Sequence, residues 1–313
     1  MTADPIDFRA VQDHFGLTQA AAVEKDWHVL RAMRAIISVD ARPFRLVFAG
    51  GTALARAHKL LQRMSEDVDF KVVPLAAAPV SANKRRAMLG ELRDRITASL
   101  QAAGFPLDPK NEQQVRSRDA NAYTVFQLNY APQDAIGIQL RPTLQIELSA
   151  TVLRLPSVRL AVASFVAEAN KRDPEIPSID CVSVTETAAE KLVALTRRSA
   201  MALAGASPTF DETLVRHIYD LHMIQSHIDL PKAIELAREI AMQDAEQFRN
   251  QYPAYHADVA GESRKGIEVW GQPHAGRDLY FNFVAAMVYG EAAAFNDAIA
   301  TVRGMVDAAW PVR

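Results

Sequence analysis

A single cysteine, Cys181, among 313 residues rules out an intramolecular disulfide and any cysteine-rich zinc site. It lies in the apolar context IDCVSV, where an inert buried thiol is expected rather than a nucleophile. An excess of either charge is also missing. Lys and Arg number 35 against 37 Asp and Glu, a formal net charge of -2, so only a local basic patch could serve nucleic acid. No apolar stretch approaches the roughly 20 residues that cross a bilayer, and MTADPIDFRA at the start has no basic region followed by an apolar one. A cytosolic protein without a membrane partner is expected. Familiar catalytic patterns are absent too: there is no Gly-x-x-x-x-Gly-Lys-Ser/Thr phosphate loop and no Gly-x-Ser-x-Gly hydrolase elbow. His217 and His222 miss the i, i+4 spacing of a zinc-binding helix.

What is present is an ordinary globular composition, 49% hydrophobic and 23% charged, in a chain long enough for two domains. Residues 19–38 carry Val23, Trp27, Leu30, Met33 and Ile36 or Ile37 at helical spacing, which predicts an amphipathic helix. FRLVFA (44–49) predicts a buried strand, TALARAHKLLQR (52–63) a helix, and DVDFKVV (67–73) an alternating strand. A charged helix follows over 82–103, then a polar loop over 104–120. Strands are expected at 122–130 and 142–150, joined by a turn-rich stretch with Pro132 and Gly137, and again at 158–165. The Pro-containing segment 171–180 reads as a connector, and helices are expected at 185–203, 211–226, 231–248 and 281–309. The fold class expected is α+β: a mixed sheet with flanking helices over 1–170, then a helical domain over 171–313.

The stretch FAGGTALARAHKLLQRMSEDVDF (48–70) carries the chemistry. A Gly50–Gly51 pair between strand and helix permits positive φ and close approach of a ligand, and the next turn offers unpaired N–H groups to a phosphate. Thr52 adds a hydroxyl there; a tight turn with a threonine cap is the plainer reading of the same residues. Asp67 and Asp69, two apart on a strand, point the same way, so their carboxylates repel unless a cation sits between them. Mg²⁺ suits carboxylate oxygen and keeps coordination free for substrate phosphate. Glu147, in LQIELS, faces away from Leu144, Ile146 and Leu148, and joins the same face if its strand neighbours the first. Asp67, Asp69 and Glu147 are thus the expected metal set, acting on a nucleoside triphosphate.

The same stretch resembles the AbiEii/AbiGii nucleotidyltransferase toxins, a branch of the DNA polymerase-β-like nucleotidyltransferase superfamily. The family's Gly-Gly-Thr/Ser, helix, Arg-x-Ser-x-Asp-x-Asp-Phe pattern is matched by Gly50, Gly51, Thr52, Arg63, Ser65, Asp67, Asp69 and Phe70. VEKDWHVLRAM with Lys25 and Asp26, AEKLVAL with Lys191, and RHIYDLHMI with Arg216 and Asp220 fit as well, so the resemblance spans roughly residues 20 to 225. It implies a polymerase-β-like core and Mg²⁺-dependent transfer of a nucleotide from an NTP, with the 3′ end of tRNA among the acceptors. It also implies a toxin role beside an antitoxin encoded upstream, with direct contact between the two left open.

Gly50, Gly51, Thr52, Arg63, Ser65 and Lys191 are the expected nucleotide-binding residues. Asp67, Asp69, Glu147, Lys191 and Asp220 are the expected catalytic ones. Lys191 either snorkels over the core or meets the triphosphate as a point charge. Asp220 either forms a surface pair with Arg216 or orients Lys191 or the base. Arg63 contacts phosphate or offsets the aspartates, and Lys25 and Asp26 have packing as their alternative. Lys84, Arg85, Arg86, Arg93 and Arg95 form a basic cluster that could contact an RNA backbone or simply be solvated. Two other functions share these residues: transfer to a small molecule or protein side chain, and a non-catalytic NTP-binding module.

Overall fold

The computed structural model describes residues 6–75, 81–133, 140–207 and 209–312, so the expected turn residue Gly137 lies outside it. The chain divides into two compact units, one reaching to Lys59 and including Arg63–Val182, the other comprising Leu60–Gln62 and Ser183–Arg313.

The first unit runs α1 (Phe8–Phe15), α2 (Ala20–Ile37), β1 (Phe44–Ala49) and α3 (Gly50–Thr52), which continues as a π-helical turn over Ala53–Ala57. Then come β2 (Asp67–Pro74), α4 (Ala82–Ala102), β3 (Val115–Arg118), β4 (Tyr123–Asn129), β5 (Thr143–Ala150), β6 (Val158–Val162), α5 (Phe165–Ala169) and β7 (Ile176–Cys181). The strands form one sheet in the order β3-β4-β5-β2-β1-β7-β6. It is mixed: β2 runs parallel to β5 and antiparallel to β1, while β1 runs parallel to β7.

Strand alternation explains the two faces. Phe48, Val68, Phe70, Val72, Phe126, Leu128, Leu144, Ile146 and Leu148 share one buried cluster with Val29, Leu30, Met33 and Ile36 of α2 and Leu89, Leu92, Ile96 and Leu100 of α4. Burial of these side chains is worth about 1.5–3 kcal/mol each, which pins the register, because a one-residue slip would turn the whole set to the other face. The polar residues of β2 and β5 therefore lie on the opposite face.

Three expectations for this unit are corrected. The helix expected over 52–63 ends after Ala57, where the His58 ring donates to the Val182 carbonyl at 2.9 Å and Lys59 turns left-handed at φ 56°. The loop expected over 104–120 contains β3, recruited as an edge strand by β4. The connector at 171–180 contributes most of β7, which lies between β1 and β6. Cys181, on that strand, is fully buried, and burial pushes its thiol up to about 12, so it is inert.

The second unit is helical: α6 (Val184–Leu203), α7 (Val215–Ile224), α8 (Leu230–Gln247), α9 (Pro253–Ala257), α10 (Val259–Glu268), α11 (Leu279–Met287) and α12 (Phe295–Ala309). The pattern over 281–309 is two helices rather than one. Val288 is extended, and the N–H groups of Tyr289 and Gly290 turn to the Gln62 carbonyl at 3.0 and 3.3 Å. Helices α9 and α10 were not expected; the Asp258 carboxylate caps α10 by accepting from the Gly261 N–H at 2.8 Å.

Candidate active site

The parallel pairing of β2 with β5 brings the acidic residues together. Asp69 is in direct register with Glu147, and Asp67 with Gln145. Residues in register on neighbouring strands point to the same face, so Asp67, Asp69 and Glu147 share the face opposite the core. All three are half-buried.

The Gly-Gly turn is built around Asp69. Gly50 sits at φ +73°, and a Cβ there would stand 1.9 Å from the Asp69 Oδ2. Only glycine adopts that backbone while leaving the carboxylate its place. A Cβ on Gly51 would meet the Arg63 Nη2 at 2.5 Å and the Ser65 hydroxyl at 3.3 Å. Arg63 is buried and donates to the Met64 carbonyl at 2.8 Å, so with Ser65 it braces the turn. The Thr52 hydroxyl donates to the Asp67 carbonyl, tying the turn to β2.

Several site residues had no isolated motif. Arg141 donates to Asp67 at 2.5 Å and to the Gln145 side-chain carbonyl at 3.1 Å, and lies 3.6 Å from Glu66. Burial works against its charge, but Asp67 and Glu66 outweigh it and raise its pKa. Glu66 also accepts from the Lys25 ammonium at 2.5 Å and from the Arg141 backbone N–H at 2.7 Å. Gln145 donates to the Glu147 Oε1 at 2.6 Å, and the Tyr123 hydroxyl donates to Oε2 at 2.7 Å. Burial, then the Glu147 bond, pushes the Tyr123 phenol far up, so it stays a donor. The only signal for Glu66 was its place beside Asp67, and for Gln145 its alternation with Glu147.

The first-helix motif holds this network in place. Lys25 is buried and also reaches the Arg141 carbonyl at 2.8 Å; burial lowers its pKa while Glu66 opposes that. Asp26 accepts from the Phe165 N–H at 2.8 Å and pairs with Arg56 at 3.2 Å. Burial nevertheless pushes its carboxyl up to about 6.

Lys191 and Asp220 belong to the second unit. There they pair at 2.8 Å, Asp220 fully buried and Lys191 nearly so. His217 lies 3.4 Å from the Lys191 ammonium, and burial together with that charge holds its imidazole neutral. Arg216 donates to the Thr213 carbonyl at 3.1 Å. The basic cluster is carried by α4, whose apolar side packs in the core against the face opposite the carboxylates.

Asp67 and Asp69 offer hard oxygen donors from alternate positions of one strand, and the guanidinium already lying on Asp67 marks a place for positive charge. The oxygens of Glu147 are engaged by Tyr123 and Gln145. Among the described residues no three His, Cys, Asp or Glu side chains form a group able to hold a metal ion. Two carboxylates on one strand are a hard-oxygen donor set of the kind a divalent cation would accept if substrate phosphate completed its coordination.

Comparison with protein families matches residues 31–301 to the nucleotidyl transferase AbiEii toxin family of type IV toxin–antitoxin systems. Comparison with curated proteins finds no match. Among solved structures, the fold is similar to that of MenT4, a nucleotidyltransferase toxin from Mycobacterium tuberculosis, with a TM-score of 0.59 at 18% identity over 99% of this chain and 91% of that one.

Proposed function

Because the chain belongs to the nucleotidyl transferase AbiEii toxin family of type IV toxin–antitoxin systems, we propose that it moves a nucleoside monophosphate from an NTP to the 3′ end of tRNA, using Mg²⁺. The observation that carries this reading is the register of Asp69 with Glu147 while the Asp69 carboxylate rests against Gly50. That arrangement puts acidic groups beside a glycine turn at the start of a helix, the pairing that transfer from a triphosphate calls for.

Gly51 and Ser65 would cradle the triphosphate, with the turn braced by Arg63 and by the buried Thr52 hydroxyl on the Asp67 carbonyl. Asp67 and Asp69 would hold Mg²⁺, which when bound supplies neutralising charge to the triphosphate. Glu147, oriented by Tyr123 and Gln145, would take the proton of the acceptor hydroxyl. The hydroxyl oxygen bonds to the α-phosphorus as the bond from that phosphorus to the bridging oxygen breaks, and pyrophosphate leaves. Arg141 would yield Asp67 to a bound cation and would keep Gln145 and Glu66 as partners.

The test is label transfer from each α-³²P NTP, with Mg²⁺, into total tRNA, comparing the parent with Asp67→Ala/Asp69→Ala. Label on tRNA from the parent alone is the expected result. Equal inactivity would remove tRNA as acceptor and favour a small molecule or protein side chain. Equal activity would overturn the site.

A further inference from the structure

Beyond Glu147 the carboxylate face continues across β4 and β3. Register carries it from Asp67 to Gln145 to Gln127, and from Glu147 to Val125 to Arg116. On this side a cavity of about 390 Å³ opens, lined among others by Arg116, Val125, Gln127, Asn129 and Thr143. Its polar wall is joined to the catalytic carboxylate by one chain of hydrogen bonds. The Thr143 hydroxyl donates to Gln127 at 2.9 Å, Gln127 to Gln145 at 2.7 Å, and Gln145 to Glu147 at 2.6 Å.

Sheet order decides which reactant belongs there. The Gly50–Thr52 turn follows β1, on one side of β2, whereas β5, β4 and β3 extend from its other side. In-line displacement needs the attacking and leaving oxygens on opposite sides of the phosphorus. With the triphosphate over the turn, the acceptor arrives over β5, β4 and β3. Gln127 is two strand spacings from Asp67, roughly 10 Å, about one nucleoside away.

The lining matches a nucleobase. The Asn129 amide offers a donor and an acceptor, as a base edge requires, and Gln127, held by Thr143 and Gln145, keeps its second N–H and second lone pair for the same use. Val125 is a buried apolar floor for a ring face, and Arg116 is an exposed cation suited to an adjoining phosphate. We propose that this cavity seats the terminal nucleobase of an RNA acceptor, with Gln127 and Asn129 reading its edge and Arg116 holding its phosphate. The proposal rests on the transferase reading for its choice of reactant.

The test is fluorescence anisotropy with a 5′-fluorescein single-stranded oligoribonucleotide ending in CCA, on the full chain without NTP. Arg116→Ala and Asn129→Ala, both exposed positions that leave the core intact, should each weaken binding about tenfold, and Arg116→Ala should reduce the salt slope by about 1. Lys84→Ala/Arg85→Ala on α4 should bind like the parent. Binding unchanged in Asn129→Ala, no binding by the parent, or loss only in the α4 variant overturns the proposal. In the transfer assay the two variants should raise the acceptor KM and leave the NTP KM alone; a raised NTP KM instead gives the cavity to the nucleotide and overturns it. If the parent transfers nothing to RNA yet both variants lose the oligonucleotide, the subsite stands and the transferase reading falls.

Discussion

Replacing Gly50 by alanine tests the link between the turn and Asp69 most directly. The backbone at φ +73° is left-handed, which costs an L-residue roughly 1–2 kcal/mol. The new methyl would stand 1.9 Å from the Asp69 Oδ2 and 3.1 Å from the Asp69 Cβ, so swinging the carboxylate alone does not relieve it. The carboxylate must retreat by about 1.5 Å to reach ordinary contact, and a misplacement of that size costs about 100-fold in rate. Gly50→Ala should therefore lower the denaturation midpoint of the first unit by about 3–8 °C and cut kcat about 100-fold. Gly51→Ala is the control: its backbone is not left-handed, and its closest contact is the end of the Arg63 side chain. It should displace the buried Arg63 brace at a cost of about 1–2 kcal/mol while Asp69 keeps its place, so kcat should fall less than in Gly50→Ala. Calorimetry and single-turnover nucleotide transfer read the two effects separately. Full activity in a Gly50→Ala protein that is destabilised as expected would refute the placement of Asp69 at the reaction centre.

Asp26 and His28, two residues apart on α2, should tilt stability in opposite directions with pH. Burial raises Asp26 from 3.8 to about 6, so its contribution falls as pH rises across that window, by about 3 kcal/mol. Burial, then Arg31, lowers His28 from 6.5 to about 4, so its contribution of about 3 kcal/mol is lost as pH falls. Urea titrations from pH 4 to 6.5 should show stability rising with pH more steeply in Asp26→Asn than in the parent, and less steeply in His28→Gln. Lys191→Met strands the buried Asp220 charge and should cost the second unit about 3–5 kcal/mol by urea denaturation, whereas Lys191→Met/Asp220→Leu should cost less. Tyr123→Phe removes one hydrogen bond from Glu147 and should slow nucleotide transfer about fivefold to tenfold with NTP affinity unchanged.

Alternation and helical spacing were enough to delimit β1, β2, β4 and β5 and helices α2, α4, α6 and α8, because those signals are local to each segment. The sequence by itself also determined that Asp67 and Asp69 share a face, that Gly50–Gly51 precedes them across one turn, and that the chain resembles a nucleotidyltransferase family. Strand neighbourhood is different. The pairing of Asp69 with Glu147, the recruitment of β3 and β7, and the premature end of the helix at His58 depend on segments far away in the chain. Glu66 beside Asp67 could be suspected from its position, but Lys25 and the Arg141 carbonyl, 116 residues apart, carry no mutual signal. A charge buried in low dielectric needs a partner, and the partner is chosen by which backbones the packed core brings within hydrogen-bond reach. Sequence therefore determined the chemistry on offer. Only the tertiary structure decided which carboxylate stands beside which, and which cation answers each, because register and burial belong to the packed core as a whole.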